Sequence, residues 1–143
     1  MFLGTFEHNI DEKNRITIPA KFREQLVGGL VVTTGLDPCL WLYPRDSWNA
    51  LASKVSALPV TSLEAREFGR QMFANASDEV PDKQGRVNLP DYLLRYASID
   101  RQAVVVGQNT YCEIWNPDAW KERQERIYND PQGRATMFGS LGV

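Results

Sequence analysis

The chain has 143 residues, 43% of them apolar and 24% charged, with a formal net charge of −2. That balance is the one expected of a soluble globular protein, and it excludes a surface that is basic throughout, so any nucleic-acid contact must come from a local patch. The longest apolar runs, such as LVVTTGL, fall far short of the roughly 20 residues a membrane span requires.

The length fits one ordinary domain, or two small ones sharing a core. The opening MFLGTFEHNIDEK has no basic segment leading into an apolar one, so no secretory signal is expected. GTFEHNI alternates between Gly4 and Asp11 and predicts a strand. DEKNR then predicts a turn, opened by Asp11, whose carboxylate can accept from the backbone two residues on, with Asn14 in the left-handed region. RITIP reads as a short strand ended by Pro19. Proline suits the first position of a helix, and AKFREQL places Phe22 and Leu26 on one face. LVVTTGL and CLWLYP are strands separated by a turn at Asp37-Pro38. Trp48, Leu51, Ala52, Val55 and Leu58 then recur at helical spacing up to Pro59. Thr61 with Glu64 predicts a capping box opening a second helix that reaches about Ala76, with Phe68 and Met72 inward.

From there the phrase repeats. DEKNRITIP at residues 11–19 returns as DKQGRVNLP at residues 82–90. Asp11 matches Asp82, Arg15 matches Arg86, Ile16 matches Val87, Ile18 matches Leu89, Pro19 matches Pro90 and Phe22 matches Leu93. After a two-residue insertion Val31 and Val32 match Val104 and Val105, Cys39 matches Cys112, and Pro44 matches Pro117. Trp48 and Trp120 follow those prolines, so roughly residues 3–48 recur as 74–120, an internal duplication. Gly85 stands where the first copy has Asn14, and these are the two residues that most readily take positive φ. DYLLRYA places Leu93 and Ala97 on one helix face, AVVVGQ and YCEIWNP are strands, and Asn116 caps a last helix with Pro117 at its first position. NDPQGRATMFGSLGV has breakers and no period, and is expected to fray.

Catalysis requires a nucleophile with a base, paired acid and base groups, or a metal cluster. The chain has a single histidine, His8, and two cysteines, Cys39 and Cys112, in predicted strands and outside any CxxC motif; they read as structural, in a reduced, cytoplasmic protein. Zinc needs about four soft ligands, and these three are the only candidates. Asp78, Glu79 and Asp82 read as a solvated loop in preference to a cation site. No phosphate-cradling glycine motif occurs. Neither an enzyme activity, nor a metal, nor a cofactor, nor a small-molecule substrate is expected.

Each turn offers an arginine among basic neighbours: Lys13, Lys21 and Arg23 around Arg15, and Lys83 and Arg95 around Arg86. Such an arginine can meet a phosphate, or guanine O6 and N7 in bidentate fashion. The alternative is an Asp–Arg salt bridge that only staples the turn. Residue type alone favours the staple. Duplication shifts the balance, because two equivalent basic turns suit a repetitive polymer such as DNA.

DKQGRVNLPDYLLRYASI resembles the signature of the AbrB-type swapped-hairpin DNA-binding domain. Two copies in one chain, with MFLGTFEHNIDEKNRITIPAKFREQL, CLWLYP and EIWNPDAW, resemble the MraZ family over about residues 1–128. The resemblance implies an α+β fold of tandem AbrB-like swapped-hairpin β-barrel halves with pseudo-twofold symmetry, plus linking and C-terminal helices. The expected division is residues 5–47 and 76–119 as the two domains, 48–75 as linking helices and 120–143 as C-terminal helix and tail. It further implies a cytoplasmic, nucleoid-associated transcriptional regulator binding double-stranded DNA at repeated boxes in the promoter of the division and cell-wall gene cluster. A ring-like homo-oligomer, octameric or larger, is implied as well. The family's Asp-x-x-x-Arg motif falls on Asp11 and Arg15, and on Asp82 and Arg86. The expected DNA-binding residues are Arg15, Lys13, Asn14, Lys21, Arg23, Arg86 and Lys83, with Asp11, Asp82 and Gly85 shaping the turns. Asp91 stands where the first copy has Ala20, and Arg95 lies one residue out of register with Arg23, so the first turn is expected to carry the larger share. The alternative is an oligomeric protein-interaction scaffold that does not bind DNA. The linking and C-terminal helices are expected to serve association, since some of their large aromatics, Trp48, Phe68 and Trp120, are expected to exceed what so small a core can bury.

Overall fold

Each copy folds into the same run of elements in a computed structural model that describes residues 1–143. The first copy comprises β1 (Thr5–Asn9), β2 (Arg15–Thr17), α1 (Ala20–Leu26), β3 (Leu30–Thr34) and β4 (Leu40–Pro44), followed by α2 (Arg45–Ser56) and α3 (Leu63–Phe73). The second comprises β5 (Ser77–Glu79), β6 (Arg86–Asn88), α4 (Asp91–Tyr96), β7 (Gln102–Gly107) and β8 (Cys112–Trp115), followed by α5 (Pro117–Tyr128) and α6 (Pro131–Gly139).

The strands form an antiparallel six-stranded sheet in the order β1-β7-β8-β4-β3-β5 and a separate two-stranded ribbon of β2 and β6. Only β3–β4 and β7–β8 pair within a copy. The pairs β1–β7, β3–β5, β4–β8 and β2–β6 all cross between copies. Exchanging each strand for its counterpart leaves the order unchanged, so the duplication appears as a pseudo-twofold relation within one chain.

Alternation along the strands divides the sheet's two faces. Leu30, Val32, Leu40, Leu42, Ala103, Val105, Cys112 and Ile114 point to the main core, where they meet Ile16, Ile18, Phe22 and Leu26 of one copy and Val87, Leu89, Leu93 and Ala97 of the other. Phe2 enters the same core and packs edge-on against Phe22 at 5.0 Å. The backbone of Phe2 and Leu3 crosses so close over Gly107 that a Cβ there would strike it, which leaves room only for glycine.

The opposite face is covered by helices. Thr33 donates its hydroxyl to the Met72 carbonyl at 2.6 Å, seating α3, and Trp120 of α5 lies 5.6 Å from Trp115. Trp48 packs edge-on against Tyr43 and Phe73. Trp48, Phe68 and Trp120 are therefore half-buried within the subunit, because the second sheet face needs a cover of its own. Glu113 is 6% exposed on this face and accepts from Trp115 Nε1 at 3.1 Å and from the Cys39 thiol at 3.7 Å. Burial first, then the Glu113 charge, raises the Cys39 thiol well above its ordinary range.

Several local expectations need correction. Pro19 and Pro90 are the capping residues before α1 and α4, not their first helical residues, since their extended ψ of 135° and 143° precedes the helical turn. Ser62, not Thr61, caps α3, accepting from the Ala65 amide. That helix ends at Phe73 because the chain must extend into β5. Residues 131–139 form α6 and do not fray: Asp130 accepts from the Gly133 amide, and Pro131 stands in the first turn.

Candidate nucleic-acid interface

Both turns close by the same set of bonds. The Asp11 Oδ1 accepts from the Lys13 and Arg15 amides at 2.9 and 2.8 Å, while Oδ2 accepts from Arg15 Nε at 2.8 Å. Asp82 repeats this with the Gln84 and Arg86 amides, each at 2.9 Å, and with Arg86 Nε at 2.7 Å. Asn14 and Gly85 take φ of 60° and 76°, the left-handed conformation their residue types permit. The backbone bond from the arginine amide, aided by its side chain, holds both carboxyls below the usual carboxylate range.

The salt-bridge staple is thus present in both copies, and it does not consume the arginine. Only Nε is engaged; neither Nη of Arg15 nor of Arg86 hydrogen-bonds within the chain. Asp fixes the plane of each guanidinium and leaves the Nη donors to an outside acceptor.

The ribbon sets the two turns relative to each other. Ile16 faces Val87, and both are fully buried, so the flanking residues Arg15, Thr17, Arg86 and Asn88 share the outward face. Arg15 pairs with Asn88 and Thr17 with Arg86, which makes the two arginines diagonal neighbours. The Leu89 amide donates to the Asn14 carbonyl and the Ile18 amide to the Gly85 carbonyl, each at 2.8 Å. The turns therefore sit at opposite ends of one ribbon, about 13 Å apart for four residues at roughly 3.3 Å each. Thr17 and Asn88 belong to no motif, and only the pairing reveals them.

The flanking cations divide between the ends. Lys13 and Lys83 are exposed on their turns. Lys21 lies 5.9 Å over the Phe6 ring. Arg23 donates Nε to the Ile18 carbonyl at 3.1 Å and lies across the second turn, where a Cβ on Gly85 would come within 2.6 Å of Nε. His8 lies near enough that burial and then the Arg23 charge lower its pKa. Arg95 is ion-paired with Asp91 inside α4. Asp78 pairs with Arg45 while Asp82 closes its turn, and no group of three or more His, Cys, Asp or Glu side chains converges as a metal site would. No helix is long and apolar enough to cross a membrane.

Fold and site together define a duplicated α+β protein that displays a short cationic ribbon. A family model described as "MraZ protein, putative antitoxin-like" matches twice, over residues 1–71 and 72–139, in step with the duplication. The chain is similar to the transcriptional regulator MraZ of Thermomicrobium roseum, with 50% identity over 99% of both chains. It is 46% identical to that of Herpetosiphon aurantiacus and 45% identical to that of Clostridium acetobutylicum, over the full length of each. The chain belongs to the MraZ family.

Proposed function

We propose that this chain is a transcriptional regulator that binds double-stranded DNA through the β2–β6 ribbon and its two turns. The observation that carries the reading is the pair of arginines on one outward face, each fixed by an aspartate with its Nη donors free. The major groove of B-DNA, about 12 Å wide, admits a two-stranded β-ribbon. Arg15, Asn14, Lys13, Arg86, Lys83, Lys21 and Arg23 are the contacting residues, and Asp11, Asp82 and Gly85 hold the turns. The crossed pairing of the two copies supports reading residues 5–47 and 76–119 as the two halves of an AbrB-like swapped-hairpin barrel.

Affinity per ribbon is modest and multiplies through assembly. Exposed apolar side chains Leu58 and Val60 between α2 and α3, Leu63 at the start of α3, and Met137, Phe138 and Leu141 on and just beyond α6, favour contacts between copies. Different surfaces meeting head-to-tail close a ring of eight or more subunits if the rotation closes. Linked ribbons then meet repeated boxes spaced near one helical turn, about 10 base pairs, at high effective concentration. Such boxes lie in the promoter of the division and cell-wall gene cluster, where occupancy excludes polymerase and represses, in the cytoplasm at the nucleoid.

The test is a gel shift with duplex DNA from immediately upstream of the protein's own coding sequence. Wild-type protein should retard it. Arg15→Ala and Arg86→Ala should both weaken binding, by at most the about 1.5–3 kcal/mol of a charge-assisted bond for every ribbon engaged, without changing the melting temperature much. If both variants bind like wild type, the ribbon is not the interface.

A further inference from the structure

The two ends of the ribbon are built from different residues. Strand β2 runs into α1 beside the second turn, and β6 runs into α4 beside the first, so each end joins a turn of one copy to a helix of the other. At the second-turn end, residues 82–86 and 20–26 supply Lys83, Arg86, Lys21 and Arg23 against the carboxylates of Asp82 and Glu24. At the first-turn end, residues 11–15 and 91–96 supply Lys13, Arg15 and Arg95 against Asp11, Glu12 and Asp91. Four cations oppose two acids at one end, and three oppose three at the other. Arg101, whose carbonyl accepts from the Ile10 amide beside the first turn, is offset by its neighbour Asp100.

The position of α4 that matches Arg23 is Leu94, and it is buried in the core. Helix α4 therefore has no counterpart to the guanidinium lying over Gly85. Arg23 is held by the Ile18 carbonyl through Nε, with no hydrogen bond from either Nη inside the chain. A guanidinium held in place loses little freedom when it meets a phosphate. Gly85 takes a positive φ, and a side chain there would push Arg23 from the space it occupies.

We infer that DNA engages the ribbon unequally, anchored at the second-turn end, which carries Lys83 and Arg86 of the second copy and Lys21 and Arg23 of the first. Arg23 positions that end on the phosphates, and the other end, balanced by its own acids, adds little salt-dependent affinity. Each subunit consequently sits on the duplex in one orientation despite its pseudo-twofold symmetry. This rests on the DNA-binding reading above, and it reverses the greater share expected for the first turn from the sequence.

The experiment measures affinity of the intact protein for the same upstream duplex as a function of NaCl concentration. Arg23→Gln and Lys83→Gln should each reduce the steepness of log affinity against log salt by about 0.9 for every phosphate they cease to neutralise. Lys13→Gln should reduce it much less, Arg23→Lys should keep the wild-type slope, and Glu12→Gln should tighten binding by unbalancing the neutral end. All are exposed positions, and a thermal melt confirms that each variant is folded. Equal losses for Lys13→Gln and Arg23→Gln would overturn the unequal ends while leaving DNA binding intact. No salt-dependent binding by the unsubstituted protein would overturn both.

Discussion

Ile16 and Val87 are the fully buried pair that roots the proposed interface, and Ile16→Ala separates support of the ribbon from general stability. Ile16 lies opposite Val87 at the centre of a ribbon only three residues long on each strand. A two-stranded ribbon is marginal alone, so its inward side chains must root it. The substitution removes three carbons at about 0.8 kcal/mol each and leaves a partly collapsed cavity, for a total of about 3–4 kcal/mol. Against a typical stability of about 5–15 kcal/mol the protein stays folded. With a urea slope of about 2 kcal/mol/M, the midpoint should fall by about 1.5–2 M. Leu40→Ala is the matched control, because Leu40 is also fully buried in the same core but lies in the central sheet. Its stability cost should be similar, about 3–5 kcal/mol. In fluorescence anisotropy under conditions where both variants are folded, Ile16→Ala should bind the upstream duplex at least several-fold more weakly and Leu40→Ala nearly normally. Equal affinity for the two would refute the claim that the ribbon's inner contacts hold its outer row in place.

Acid should loosen the turns. Folding lowers the Asp11, Asp82 and Asp78 carboxyls, so their contribution is fully present above the ordinary value of about 3.9 and is lost as pH falls through the lower folded values. Melting temperature should hold steady from pH 7 to pH 5 and then decline below about pH 4, together with amide-exchange protection at Arg15 and Arg86; unchanged protection at pH 2 would contradict the shared closing bonds. The cysteines should be inert in the folded protein: burial pushes the Cys112 thiol up to about 12, and burial with the Glu113 charge raises Cys39 further. Iodoacetamide at pH 8 should label neither until denaturant is added, and reductant or chelator should leave the melting temperature unchanged. Rapid labelling of Cys39 without denaturant would show that the outer sheet face opens, and of Cys112 that the main core does.

The duplication, the order of most strands and helices, and the conformation of both turns were legible in the residues themselves, whereas β5, read as a loop at Asp78 and Glu79, and α6 were not. The legible features rest on local chemistry: Asn14 and Gly85 tolerate positive φ, Asp11 and Asp82 can accept from amides two residues on, and Phe22 with Leu26 marks a helix face within one turn. Which strand pairs with which is not local, since alternation shows that a strand has two faces but not whose edge it meets. Pairing across the copies placed both arginines on one ribbon and brought Arg23 over the other copy's Gly85. It also buried Glu113 beside Cys39, a contact between strands far apart in the chain. The residues determined two turns able to hold an arginine. Only the packed chain decided that they share one surface with unequal ends, because that surface is made where the two copies cross.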